Sequence, residues 1–124
     1  CADVMGPGTH GSTFGGNPVA CAAGRYMLTR LTDPALLAEV EEKGVYLRAR
    51  LEALPHVTQV RGLGMMLGAV LDGAEAKDVA ARCVQAGLLI RTAKTLLRLL
   101  PPLNITKEEM DQGLERLEAV LSAL

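Results

Sequence analysis

The sequence predicts an α+β fold in which helices pack against a small, mostly antiparallel sheet. From residue 34 onward, segments with helical spacing of apolar side chains alternate with pairs of short apolar segments. Within each pair only a few residues separate the segments, which is enough to join neighbouring antiparallel strands. Hydrophobic residues make up 49% of the chain and aromatic residues 2%, so the core must be built from Leu, Val, Ala and Met.

The chain opens with an irregular arm and one helix. Residues 1–16 contain five glycines and a proline, which oppose regular structure. Asn17 is a favoured residue before the first turn of a helix, and Pro18 suits the first helical position. Apolar residues then recur at helical spacing, which predicts a helix over residues 18–31.

A second helix and two strands follow. Asp33 and Pro34 repeat the start signal, and Pro55 ends the helix. Residues 57–61 and 65–71 read as strands, the second apolar on both faces. The helix carries one continuous apolar stripe, formed by Leu37, Val40, Gly44, Leu47, Leu51 and Leu54. Arg48 and Arg50 lie among alternating charges on the same helix and are expected to be solvated.

The last part of the chain repeats this pattern. Residues 74–86 are predicted to form a short helix that Gly87 closes, because glycine tolerates the left-handed conformation found there. Residues 88–91 and 96–100 are predicted strands. The final helix has the clearest start: Thr106 and Glu109 match the capping box, in which each side chain bonds the other residue's backbone N–H.

Composition excludes several classes of function. Thirteen basic against fourteen acidic residues, with almost no aromatic side chains, give no basic surface for nucleic acid. No apolar segment is long enough to cross a membrane. The three cysteines are far apart and no histidine lies near a second ligand, so no metal site is expected. Cys21 and Cys83 are expected to be buried, reduced thiols, which suits a cytoplasmic protein.

Residues 11–18, Gly-Ser-Thr-Phe-Gly-Gly-Asn-Pro, are the stretch most suggestive of chemistry. Ser12 and Thr13 offer hydroxyl donors beside flexible glycines, immediately before a helix N-terminus. Such a loop can hold a phosphate or a carboxylate. A plain glycine-rich turn before a helix is the equally open alternative.

Three segments together resemble the class III aminotransferases, enzymes that use pyridoxal 5'-phosphate (PLP). The loop and helix start at residues 10–22 are similar to a signature of that family. Residues 60–68, Val-Arg-Gly-Leu-Gly-Met-Met-Leu-Gly, and residues 97–106, Leu-Arg-Leu-Leu-Pro-Pro-Leu-Asn-Ile-Thr, resemble two later segments in the same order. Within the family, the acetylornithine aminotransferases are the most similar.

The resemblance implies roles for three residues. Arg98 by itself is either an outward-facing strand residue or a planar clamp for a carboxylate. The family's matching arginine binds the substrate's α-carboxylate, which implies that role for Arg98. The matching threonine binds the PLP phosphate of the neighbouring subunit in a homodimer, which implies phosphate binding by Thr13, with Ser12 at the same site. No residue of this chain is expected to act as the catalytic Schiff-base lysine.

The resemblance also predicts the organisation of the chain. Residues 34–124 correspond to the small C-terminal domain of a fold-type I PLP enzyme, and residues 1–33 belong to, or link with, its large domain. The four lysines lack the family's Schiff-base context, so this segment alone is expected to be inactive. The implied parent converts N-acetylornithine and 2-oxoglutarate to N-acetylglutamate semialdehyde and glutamate in arginine biosynthesis.

Two kinds of alternative stay open. Related enzymes that act on ornithine, succinylornithine or 4-aminobutyrate share these motifs. A stand-alone, non-catalytic α+β module that binds a regulator or mediates dimerisation is also compatible with the fold. The irregular arm argues against the module, because an independent domain with such a start leaves Phe14 and Val19 exposed.

Overall fold

The computed structural model describes residue 4 and residues 6–124. These residues form four helices and a four-stranded sheet. The helices are α1 (Pro18–Leu31), α2 (Pro34–Glu52), α3 (Ala76–Gln85) and α4 (Lys107–Ser122), and the strands are β1 (Val57–Leu63), β2 (Met66–Leu71), β3 (Arg91–Ala93) and β4 (Leu96–Leu99). The strand order is β1-β2-β4-β3 with every neighbouring pair antiparallel, which confirms the predicted α+β class.

The chain divides into two compact units, Cys1–Leu37 and Ala38–Leu124. The division falls inside α2, a few residues after the predicted boundary at residue 33. The assignment of residues 1–33 to a large domain stays a prediction. Among the described residues no helix is both long and apolar enough to span a membrane.

In the first unit, the helix start matches the prediction. The backbone N–H of Ala20 donates to the Asn17 side chain at 2.9 Å, and Pro18 is the first helical residue. None of the residues of α1 is buried. The expectation that Cys21 is buried is therefore wrong, because its helix packs no face inward in this unit; Cys83 on α3 is fully buried, as expected. Cys1 lies outside the described residues.

In the second unit, one core holds three helices against one face of the sheet. Alternate strand residues such as Val60, Ala69 and Leu97 are buried there, because successive strand side chains point to opposite faces. From the helices the buried side chains are Leu47, Leu51, Ala76, Val79, Cys83, Met110, Leu114, Leu117 and Leu121. Full burial of a leucine stabilises the fold by about 1.5–3 kcal/mol, which makes this face the main source of stability.

The end of α3 corrects the position of β3. The backbone N–H of Gly87, whose φ is 76°, donates to Val84 O at 3.0 Å, and the N–H of Leu88 donates to Cys83 O at 2.8 Å. This is the Schellman arrangement that closes a helix. Because Leu88 serves the helix end, the strand predicted at residues 88–91 begins only at Arg91. The capping box at Thr106 and Glu109 is confirmed.

A close approach joins α2 to the β1–β2 turn. A Cβ added at Gly44 would lie 2.7 Å from Gly64 O and 2.8 Å from Gly64 Cα. One helical turn further along, Arg48 donates to Val60 O at 2.7 Å and to Gly62 O at 2.8 Å. The expectation that Arg48 is solvated is therefore wrong: its guanidinium binds the backbone on both sides of Arg61.

A charged cluster joins α2 to α4. Tyr46 donates its hydroxyl to Asp111 Oδ1, while Arg50 donates to both Tyr46 Oη and Asp111 Oδ1 at 2.7 Å. Lys107 donates to Asp111 Oδ2 at 3.1 Å and lies 4.6 Å from the centre of the Tyr46 ring. The expectation that Arg50 is solvated is therefore wrong as well. The hydrogen bond from Tyr46 and the charges of Lys107 and Arg50 lower the pKa of Asp111 from its ordinary 3.8.

This cluster predicts an acid-sensitive element of stability. A carboxyl whose pKa is lower in the folded than in the unfolded chain stabilises the fold above its unfolded pKa, and this contribution disappears as pH falls through the folded value. Asn at this position cannot titrate. As pH falls from about 6 to about 3, the free energy of unfolding should therefore decrease less for Asp111→Asn than for the unchanged protein. Urea unfolding of both proteins at each pH checks this. Parallel losses in the two proteins would contradict it.

Candidate functional site

The glycine-rich loop of the first unit presents two hydroxyls at its surface. Ser12 and Thr13 are both exposed, and no hydrogen bond among the described residues uses either hydroxyl. The loop folds back through a hydrogen bond from Gly15 N to Ser12 O at 3.4 Å. A Cβ at Gly15 would meet Ser12 Cβ at 3.1 Å, so glycine keeps this turn tight. The two hydroxyls are thus available to an external acceptor.

Asn17 sets where α1 begins relative to these hydroxyls. Its side-chain nitrogen donates to Phe14 O at 2.8 Å, and its side-chain oxygen accepts from Ala20 N. One residue thus joins the loop to the first turn of α1. The hydroxyls and the N-terminal end of a helix dipole form a donor set that suits a phosphate.

Arg98 lies in the second unit, in the middle of β4. Leu97 before it is fully buried, and Arg98 is exposed, so the guanidinium projects from the face opposite the core. Its backbone partner on β2 is Gly68. This geometry fits both interpretations of the sequence, an outward-facing strand residue and an anion clamp.

Two further arginines occupy the same row across the sheet. Arg61 on β1 pairs with Gly68 on its other side, and Arg91 on β3 pairs with Arg98. Arg61 donates its Nε to Gln59 Oε1 at 2.8 Å. No carboxylate of the described residues lies within ion-pairing distance of any of the three arginines. The row is a concentration of positive charge on the face away from the core.

A cavity of about 630 Å³ opens beside Arg98. Its lining includes Arg91 and Arg98, together with core residues such as Leu47, Leu114 and Leu117. The cavity therefore opens at the edge of the core, whereas the two guanidinium groups leave the sheet on its other face. No motif or pattern in the sequence singles out Arg91. Arg91 lies on the predicted strand that precedes the strand of Arg98. The sequence does not show which residues of the two strands face each other, and only the register of the sheet pairs Arg91 with Arg98.

Three lysines and the possible metal ligands were the remaining groups that could take part in chemistry. Lys43 donates to Leu103 O at 3.1 Å and pairs with Glu39, and Lys107 belongs to the Asp111 cluster. Lys94 is exposed in the β3–β4 turn with φ of 58°. Across the described residues no group of three His, Cys, Asp or Glu side chains could hold a metal ion.

Comparison with known proteins identifies relatives along nearly the whole chain. The family model described as "Aminotransferase class-III" matches residues 1–121. Acetylornithine aminotransferase from Haemophilus ducreyi is 47% identical over 124 residues, covering 99% of this chain and 31% of the relative. The Caldanaerobacter subterraneus acetylornithine aminotransferase is 42% identical, covering 98% and 32%. The chain thus spans about a third of the length of these relatives.

Comparison with solved structures also identifies aminotransferases. The ornithine aminotransferase from Toxoplasma gondii matches with a TM-score of 0.78 and 35% identity, over 98% of this chain and 31% of that one. The N-acetylornithine aminotransferase from Stenotrophomonas maltophilia matches with a TM-score of 0.79 and 38% identity, over 87% and 32%. The fold and the sequence therefore point to the same group of proteins.

Proposed function

This chain belongs to the class-III aminotransferase family, and from that premise we propose that it is part of a PLP-dependent aminotransferase of arginine biosynthesis. The parent enzyme transfers the δ-amino group of N-acetylornithine to 2-oxoglutarate. The observation that carries the proposal is Arg98, an arginine without a carboxylate partner among the described residues, exposed beside a largely apolar cavity. The identities of 42–47% to acetylornithine aminotransferases support this substrate.

Arg98 holds the α-carboxylate of the substrate in this proposal. A guanidinium presents two parallel N–H donors that match the two oxygens of a carboxylate, which orients the ligand as well as attracting it. With the α-carboxylate held, the far amino group of N-acetylornithine extends away from β4 toward the cofactor. The same clamp takes the α-carboxylate of 2-oxoglutarate in the second half of the reaction.

Thr13 and Ser12 bind the phosphate of PLP. Their free hydroxyls and the nearby start of α1 provide the donors that a phosphate requires. When bound, PLP supplies the electron-accepting ring on which amino-group transfer depends. We propose that these hydroxyls reach the cofactor of a second copy in a cytoplasmic homodimer. The Schiff-base lysine is contributed by another part of the protein, so this segment alone is inactive.

A substrate panel tests the proposed activity. The full-length protein, loaded with PLP, is assayed with 2-oxoglutarate and with N-acetylornithine, N-succinylornithine, ornithine or 4-aminobutyrate. We expect the highest kcat/KM for N-acetylornithine. A higher value for ornithine would instead favour the activity named for the Toxoplasma gondii relative. A protein that binds no PLP and uses none of these donors would contradict the proposal and favour a non-catalytic module.

The phosphate contact predicts a specific defect. Thr13→Val in the full-length protein should raise the dissociation constant for PLP about tenfold, because one hydrogen bond to a charged group is lost. Binding of pyridoxal, which lacks the phosphate, should not change. Thr29→Val is the matched control, since the Thr29 hydroxyl already bonds Arg25 O within α1. Equal weakening of PLP and pyridoxal would contradict a phosphate contact.

A further inference from the structure

The register of the sheet places two arginines directly opposite one another. Arg91 on β3 and Arg98 on β4 are partners in the antiparallel ladder, so their side chains leave the same face. Side chains in this relation have Cβ atoms about 4.5–5.5 Å apart. Both residues also line the cavity of about 630 Å³. Because the two side chains leave the same face at directly opposite positions, the two guanidinium groups can reach one ligand.

No group of the described residues neutralises this pair. Neither arginine makes an ion pair there, and the one acidic residue that lines the cavity, Glu109, accepts a hydrogen bond from Thr106 N at 2.9 Å in the capping box. Like charges directly opposite in a sheet are destabilising. An anion between them removes that repulsion and adds two charge-assisted interactions.

We infer that Arg91 is a second carboxylate-binding residue, which shares the α-carboxylate of the substrate with Arg98. The inference rests on the proposed function, because it assumes that Arg98 binds this carboxylate. Arg61 occupies the same row, but it does not line the cavity and its Nε is bonded to Gln59. The two-arginine arrangement makes the site selective for donors and acceptors that carry an α-carboxylate.

Equilibrium binding separates this role from a structural one. We would measure the dissociation constant of 2-oxoglutarate by calorimetry, using the full-length, PLP-loaded protein without an amino donor. Arg91→Gln should raise it about tenfold. Arg91→Lys should raise it less, because the charge is kept. The control is Arg82→Gln, since Arg82 lies on α3 and does not line the cavity.

Steady-state kinetics adds a second readout. Because the carboxylate is held in both the ground state and the transition state, Arg91→Gln should raise KM for N-acetylornithine and leave kcat nearly unchanged. N-acetyl-1,4-diaminobutane, which is N-acetylornithine without its carboxylate, should show no change in KM.

The outcomes for Arg91 and Arg98 distinguish two kinds of failure. If Arg98→Ala weakens 2-oxoglutarate binding and Arg91→Gln does not, the inference about Arg91 is wrong and the proposed function stands. If neither variant changes binding, the carboxylate site itself is wrong. A lower kcat for Arg91→Gln with unchanged binding would show that Arg91 acts on the structure, which also contradicts the inference.

Discussion

Arg98→Ala in the full-length, PLP-loaded protein is expected to lower kcat/KM for both N-acetylornithine and 2-oxoglutarate by roughly 30- to 1,000-fold. This range corresponds to about 2–4 kcal/mol, the order of magnitude expected when a carboxylate loses a two-point charged contact. Arg98 projects from the face of β4 that lies away from the core and makes no ion pair there, so no carboxylate of the described residues competes for it. Initial-rate kinetics with each substrate varied in turn measures the effect.

Three comparisons make this prediction specific. Arg98→Lys keeps the charge but loses the planar fork, so it should recover only part of the activity. Arg82→Ala removes an exposed arginine of α3 that does not line the cavity and should have no effect. N-acetyl-1,4-diaminobutane has no carboxylate for Arg98 to bind. Its kcat/KM should be low, and it should be the same in Arg98→Ala as in the unchanged protein. Unchanged kcat/KM for both carboxylate substrates in Arg98→Ala would rule out the clamp.

Gly44→Ala is expected to destabilise the second unit by about 2–3 kcal/mol, although alanine is the better helix former. The added Cβ would lie 2.7–2.8 Å from three backbone atoms of Gly64, a distance that requires α2 and the β1–β2 turn to move apart. That movement would also stretch the bonds from Arg48 to Val60 O and Gly62 O. Hydrogen exchange of the α2 and β1 amides in the full-length protein measures the local loss.

Gly113→Ala is the matched control for this prediction. Gly113 also lies inside a helix of the second unit, but a Cβ there would meet only Leu88 Cδ1 at an ordinary 3.7 Å. Helix propensity alone predicts a gain of about 0.5–1 kcal/mol for alanine at either position. The structure predicts this gain at Gly113 and a loss at Gly44. The same sign at both positions would contradict the close packing of α2 on the turn.

The helix boundaries show how far local sequence signals reach. The predicted helix at residues 18–31 and the capping box at Thr106 match the structure, because a cap involves only residues a few positions apart. The start of β3 differs from the prediction for an equally local reason: Leu88 N–H donates to Cys83 O and closes α3 instead of joining a strand. The Leu88 N–H could serve either the helix end or a strand, and in the structure it serves the helix end.

The charged residues mark what the sequence could not predict. The many charges around Arg48 and Arg50 predict that both side chains face water, yet they donate hydrogen bonds to residues 14 and 61 positions away. Arg98 was identified through its resemblance to a family segment, whereas Arg91 became a candidate only when the ladder placed it opposite Arg98. Spacing along the chain contains no information about such pairs.

The fold class, most of the helices, the capping box and the candidate residues Ser12, Thr13 and Arg98 can thus be inferred from the sequence, because they depend on near neighbours or on a recognisable motif. The residues that meet across the sheet and between helices become known only from the folded chain. Gly44 against Gly64, Arg48 on the β1 backbone and Arg91 beside Arg98 all depend on register and packing, since each joins residues that the chain brings together only when it folds.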